Sequence, residues 1–203
     1  MFNLKLAAAT LDTVVIKPHE TFSFWKLARY ADRDIPFKDG LTVIDGKLIT
    51  APGGGLCQMS NLLFWMFLHT SLTIIERHGH NVKDFPEPPS DALIGVDATV
   101  SEGWLDLKVK NETETAFQIS IVFDEERIIG RIFTDKDTGY AYEVTNGQPL
   151  YYRRSGKIFE EVDVIQTVIS TPSGECVSSK RLYRNKCEIG YQLPDGTEIV
   201  EKG

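Results

Sequence analysis

Apolar residues recur along this chain at several different spacings, and each spacing predicts a different kind of element. Near the start, Phe2, Leu4, Leu6, Ala7, Ala9 and Leu11 suit an amphipathic helix of about three turns. Val14-Val15-Ile16 is a short strand that Pro18 closes, and Thr21-Phe22-Ser23-Phe24 starts another extended piece. Residues 25–31 suit a helix of about two turns. Residues 41–44 and 47–50 flank Asp45-Gly46, which signals a hairpin. Residues 57–70 differ in kind. Met59, Leu62, Leu63, Trp65, Met66 and Phe67 leave almost no polar face, so this helix is expected inside a domain rather than on its surface.

A β-branched apolar run, 72–77, predicts a strand, and Pro86, Pro88 and Pro89 mark a loop after it. Strands are expected over 93–100, 105–109, 117–123 and 127–133, with Asp124-Glu125-Glu126 as the turn between the last two. The polar break 136–139 is the candidate domain boundary. Beyond it, the pattern is a β-meander. Residues 140–145 and 149–154 flank Asn146-Gly147, a strong hairpin signal. Residues 157–170 follow, then the turn Thr171-Pro172-Ser173-Gly174, a strand from Glu175 and a last turn at Pro194-Asp195-Gly196. The expected fold is α+β: a central buried helix led by a glycine-rich loop and packed on a mainly antiparallel sheet. This fills residues 1–135, and a C-terminal β-hairpin or meander subdomain fills 136–203.

Composition narrows the function. The 203 residues are 42% hydrophobic and 25% charged, which is ordinary for a globular chain and poor for a disordered one. A net charge of −7 repels phosphate backbones and anionic lipid, so nucleic acid is not an expected partner. The basic stretches, Arg153-Arg154 and Lys180-Arg181 with Arg184, sit among acids. The longest apolar run, 62–68, is far short of the ~18–20 residues that cross a bilayer. No secretory leader pattern is visible, so the chain reads as soluble and, as written, cytoplasmic. No Rossmann fingerprint or P-loop is present. Cys57, Cys176 and Cys187 are too few for a disulfide framework, though Cys176 with Cys187 remains a candidate pair. Tyr140, Tyr142, Tyr151 and Tyr152 are candidate exposed aromatics of the meander, usable for docking or dimerisation, but the favoured reading of the meander is a small sheet packed against the first domain. The oligomeric state itself is open.

Cys57 follows Gly53-Gly54-Gly55, the densest glycine cluster in the chain. Three glycines in a row cost backbone entropy, so they mark positive φ or close approach of another group. A thiol at a helix start meets unpaired N–H groups and the positive end of the macrodipole, which favour the thiolate. Papain-like and transglutaminase-like enzymes use a cysteine there, with a histidine on a following strand and an orienting third group. Here the helix rises ~20 Å, and a strand returning from Leu72 covers that length in roughly six to eight residues. It therefore brings His78 or His80 back beside Cys57. Strand alternation puts both histidines on one face with Glu76. Asp97, after the proline loop, is the candidate orienter. Gln58 offers a backbone N–H for an oxyanion site.

Several readings stand side by side. Cys57 is a small buried residue, or it is a nucleophile with His80 as base (His78 its rival) and Asp97 as orienter. Alternatively, Cys57, His78 and His80 form a zinc site, or Gly53, Gly54, Gly55 and Arg77 bind an anionic group without catalysis. Arg77 has an ion pair as its default role, and no other cofactor is expected. His69 is read as capping the buried helix. Trp65 and Trp104 are read as core residues.

The segments Phe22-Ser23-Phe24, Gly53-Gly54-Gly55-Leu56-Cys57-Gln58-Met59-Ser60-Asn61, Glu76-Arg77-His78-Gly79-His80, Asp97-Ala98-Thr99-Val100 and Asp106-Leu107-Lys108 with Asn111 resemble, in this order, the VanW family. In the tail, Arg181-Leu182-Tyr183 and Cys187-Glu188-Ile189-Gly190-Tyr191 fit as well. The resemblance implies a link to glycopeptide resistance and the Gram-positive cell envelope. Joined to the thiol geometry, it makes the expected function Cys-dependent acyl transfer or hydrolysis on peptidoglycan or its precursor peptides, by an amidase, peptidase or transpeptidase.

Overall fold

The structure is a computed structural model, and it describes residues 1–29, 34–44, 47–86 and 90–202. Its elements in chain order are α1 (Phe2–Leu11), β1 (Val15–Ile16), β2 (Thr21–Ser23), α2 (Phe24–Ala28), β3 (Asp39–Ile44), β4 (Lys47–Pro52), α3 (Leu56–Leu68), β5 (Thr73–Glu76), β6 (Val82–Lys83), β7 (Lys108–Lys110), β8 (Phe117–Phe123), β9 (Ile128–Thr134), β10 (Tyr140–Asn146), β11 (Leu150–Arg154), β12 (Lys157–Ser170), β13 (Cys176–Ile189) and β14 (Ile199–Glu201). The fold is α+β, and its sheets are mainly antiparallel; among the described residues, only the β11–β14 and β13–β6 pairs are parallel. Helix α3 is central, as its sequence predicts. Met59, Leu63, Phe64 and Phe67 on it are completely buried. Ala7 and Leu11 of α1, Phe117 and Ile119 of β8, and Leu107 and Val109 in and beside β7 share one apolar cluster with it. Among the described residues, no helix is long and apolar enough to cross a membrane.

The long β12–β13 ribbon closes the other side of α3. Val144 and Val164 belong to the same core. Inward-facing Gln166 donates its side-chain N–H to the carbonyls of Leu68, at 2.7 Å, and Thr70, at 3.2 Å. The last carbonyls of a helix lack intrahelical partners, so the C-terminal sheet supplies part of the cap of the central helix. His69 adds to it, with Nδ1 2.9 Å from Trp65 O.

The tail corrects several expectations. Residues 140–145 and 149–154 do not form a hairpin about Asn146-Gly147. Strands β10 and β11 lie end to end along β12, which at 14 residues is long enough to hold both. The hairpin instead turns at Ser155-Gly156, where both residues have positive φ, 50° and 78°. Two such residues give a turn whose twist matches the strands it joins. The predicted strand over 93–100 is irregular chain. Tyr152 is buried and stacks on Phe159, so it is not a docking aromatic. Cys176 and Cys187 are both free. They sit on the same strand, too far apart at ~3.3 Å per residue to bridge. Trp104 is not a core residue either, being 86% exposed, and Trp65 is half-buried, edge-on to His69. Strands β3 and β4 pair as expected, but the Asp45-Gly46 turn, residues 30–31 of the second predicted helix, and Pro88 and Pro89 lie outside the described residues.

Candidate active site

The glycine loop does two jobs. Gly53 and Gly55 have φ of 79° and 89°, the left-handed region. Gly54 touches backbone: a Cβ on it would stand 2.0 Å from Gly40 O. The loop can thus turn the chain out of β4 and start α3 directly against β3. Asn3 of α1 fastens it, donating to Lys38 O at 2.7 Å and to Gly54 O at 3.0 Å. At the helix start, Leu56 N–H donates to Gly53 O and Gln58 N–H to Gly55 O. The Cys57 N–H between them has no backbone acceptor among the described residues. Gln58 therefore does not supply the free N–H; Cys57 itself does.

A strap, residues 96–100, crosses the start of α3 and makes the predicted orienter meet the predicted base. Its polar groups bond mostly to side chains and to the His78 carbonyl rather than to a neighbouring strand, which is why it is not a strand. Ser60 Oγ donates to Ala98 O at 2.5 Å, and Asn61 Oδ1 accepts from Ala98 N at 2.6 Å. Thr99 N donates to His78 O at 2.8 Å. Cys57 Sγ lies 3.3 Å from Thr99 Oγ1 and 3.7 Å from Val100 O.

Strand β5 ends at Glu76, so strand alternation does not continue through 77–80 and the two histidines part. His80 donates its backbone N–H to Asp97 Oδ2 at 2.6 Å, and its ring Nδ1 lies 2.8 Å from Asp97 Oδ1. With Nδ1 held there, Nε2 is the ring nitrogen left for Cys57, which lies near enough that the two side chains shift each other's titration. His78 is engaged elsewhere: its Nε2 is 3.0 Å from Glu76 Oε1. Glu76 also accepts from Lys108 Nζ at 2.7 Å, which holds its carboxyl at about 2. The structure thus brings Cys57, His80 and Asp97 together and leaves His78 out. Among the described residues, no group of three or more His, Cys, Asp or Glu is arranged to hold a metal ion.

The electrostatics are those of a charged pair. The Asp97 hydrogen bond, then the one to Cys57, raises the His80 ring to about 10 against the opposing pull of burial. Burial alone would raise the Cys57 thiol; hydrogen bonds with His80, Thr99 and the Val100 carbonyl outweigh it and lower the thiol below its ordinary 9.0. Asp97 is also lowered, its burial being overcome by His80 and then by Arg77. The shifts of Cys57 and His80 both run toward the charged forms, thiolate and imidazolium.

Arg77 lies behind this group, not as an open anion site. Its Nε donates to Asp97 O at 2.5 Å and its Nη2 to Asn185 Oδ1 at 2.6 Å, while its guanidinium lies 4.4 Å from the Tyr183 ring centroid. Tyr183 donates its hydroxyl to Gly95 O at 3.1 Å. Strand β13 therefore holds the strap from beneath. Asn185 could not be found from sequence, because it lies more than a hundred positions beyond Arg77 and carries no motif; Tyr183 stands in the tail segment Arg181-Leu182-Tyr183, which names no role for it. Ser60 and Asn61 had a faint signal, as polar residues in an otherwise apolar helix.

Comparison with known proteins agrees with the motifs. The family model described as "VanW like protein" matches residues 1–133. "Vancomycin B-type resistance protein VanW" of Enterococcus faecalis is 57% identical over 201 residues, covering 99% of this chain and 73% of that protein. "Uncharacterized protein YoaR" of Bacillus subtilis is 34% identical over 110 residues, covering 54% of this chain and 35% of that protein. No solved structure matches. With the family model spanning most of the chain and one relative matching almost all of it, the chain belongs to the VanW family.

Proposed function

We propose that this chain is a cysteine-dependent acyl-transfer enzyme whose substrate is peptidoglycan or a precursor peptide, and that it acts in vancomycin resistance. The observation that carries the chemistry is the Asp97–His80–Cys57 series at the start of a buried helix. The association with vancomycin resistance rests on the name of the enterococcal relative. The wall peptide follows from that association.

The steps use only groups already placed. The Cys57 thiolate attacks an amide carbonyl, and the Cys57 N–H at the helix start donates to the oxyanion that forms. The C–N bond breaks as imidazolium His80 gives its proton to the departing amine, leaving a thioester on Cys57. His80, now neutral, removes a proton from water or from an acceptor amine, which attacks the thioester and restores the thiolate. Asp97 holds the tautomer and stabilises the imidazolium, as in other triads. The test is purified protein incubated with stem peptides and peptidoglycan fragments, followed by mass spectrometry. A thioester adduct or cleaved product that Cys57→Ala abolishes supports the proposal. A native thiol that iodoacetamide does not touch, or one with ordinary pH dependence, refutes it.

A further inference from the structure

Neither of two large recesses in the molecule is lined by Cys57, His80 or Asp97. One of them, about 350 Å³, opens next to the strap that crosses them. Val100, whose carbonyl touches the Cys57 sulfur, is followed at once by a tight turn. Ser101 pairs with Leu105, and Trp104 N–H donates to Ser101 O at 3.0 Å. At ~3.8 Å per residue, the Cα of Trp104 stands within about 15 Å of the Cα of Val100. On the other wall lies Glu76, four residues before His80.

We propose that this recess, between Trp25 and Trp104, binds a saccharide. Trp104 is 86% exposed, so a flat apolar face stands in water on a turn fixed by its own backbone bonds. Solvent-facing indoles are uncommon unless something covers them. Trp25 forms part of the wall and is locked in place, with Nε1 donating to Leu105 O at 2.9 Å. The charges around the two rings largely cancel. Arg29 pairs with Glu102 at 2.9 Å, and Lys108 pairs with Glu76 at 2.7 Å and lies 3.8 Å from Asp106. Only Lys26 of the lining cations has no carboxylate partner among the described residues.

A phosphate or a strongly anionic peptide calls for several unpaired cations, and this lining offers one, Lys26. A lipid tail calls for closed apolar depth, and the lining is mostly polar. A pyranose fits both halves of the site. Its C–H face stacks on an indole, and its rim of hydroxyls donates to carboxylates and accepts from ammonium and guanidinium groups. The inference rests on the proposed reaction only for its place beside the thiol; the binding itself needs no catalysis.

The test is titration of the full chain with a β-linked N-acetylglucosamine tetramer, followed by tryptophan fluorescence and calorimetry. Cys57→Ala, Trp104→Ala and an uncharged tetrapeptide are run in parallel. Saturable sugar binding is expected, equal in Cys57→Ala and about tenfold or more weaker in Trp104→Ala with unchanged circular dichroism. The peptide should not saturate. Three outcomes overturn the inference: no saturation by the sugar, sugar binding that survives Trp104→Ala, or peptide binding with the same dependence on Trp104. Because Cys57→Ala keeps the recess intact, an inert Cys57 would refute the proposed enzyme and leave this result standing.

Discussion

Asp97 binds His80 twice, taking its backbone N–H at 2.6 Å and its ring Nδ1 at 2.8 Å. The double contact fixes both the position of the residue and the rotation of its ring, and it leaves Nε2 for Cys57. Asp97→Asn removes the charge that does most to hold the His80 proton, so the thiol should rise with it. Iodoacetamide alkylation of Cys57 should show a midpoint below 9.0 in the wild type. The midpoint should move upward in Asp97→Asn, with the rate at neutral pH falling by about tenfold. Equal pH profiles would break the link between the two residues.

His80 also makes stability depend on pH. Its folded value is raised from 6.5 to about 10, so its contribution is complete below pH 6.5 and is lost as pH rises toward 10. Cys57 opposes this trend, because a lowered acid stabilises as pH rises. The Cys57→Ala background isolates the effect, since Asp97 is the largest cause of the His80 shift. Urea midpoints of Cys57→Ala should fall between pH 6.5 and 10. Those of Cys57→Ala with His80→Gln should stay flatter.

Arg77 ties β13 to the strap. Arg77→Met keeps much of the apolar stem but leaves Asp97 O and the buried Asn185 side chain without their donor. The loss should be about 2–4 kcal/mol in urea unfolding. Cys57 alkylation at neutral pH should slow as well, because the carboxylate that holds His80 is no longer braced.

Gly54→Ala tests the loop. The added carbon would meet Gly40 backbone at 2.0 Å, and neither strand nor helix start can yield without breaking other bonds. A loss of about 2–3 kcal/mol is expected, with slower Cys57 alkylation. Gly103→Ala is the control: its φ is positive, unlike that of Gly54, but nothing lies within 4 Å of the new carbon. It should cost only about 1 kcal/mol.

Much of the architecture was legible in the residues themselves. The apolar surface of 57–70 predicts burial, because so little of it can face water. Gly53-Gly54-Gly55 predicts an unusual backbone, and positive φ together with the Gly40 contact is what the loop uses. Helix rise set against strand rise places the histidines near Cys57. Local chemistry stopped at the point where partners are non-local. Nothing in 77–80 says that the strand ends at Glu76, so sequence could not separate His80 from His78. An Asp97 carboxylate seventeen positions away makes that choice. Likewise, 93–100 has the apolar content of a strand, but Ser60, Asn61 and His78 satisfy its polar groups before another strand can.

The sequence by itself determined the family, the central buried helix, the loop that leads it and the short set of residues from which a site could be made. The tertiary structure alone decided which of these meet: Cys57 with His80 and Asp97, Arg77 with Asn185 and Tyr183, and Trp104 with water. The reason is physical. Period and propensity act between near neighbours, whereas a pKa, a buried hydrogen bond or an exposed ring depends on which distant backbone comes to lie within a few ångströms of it.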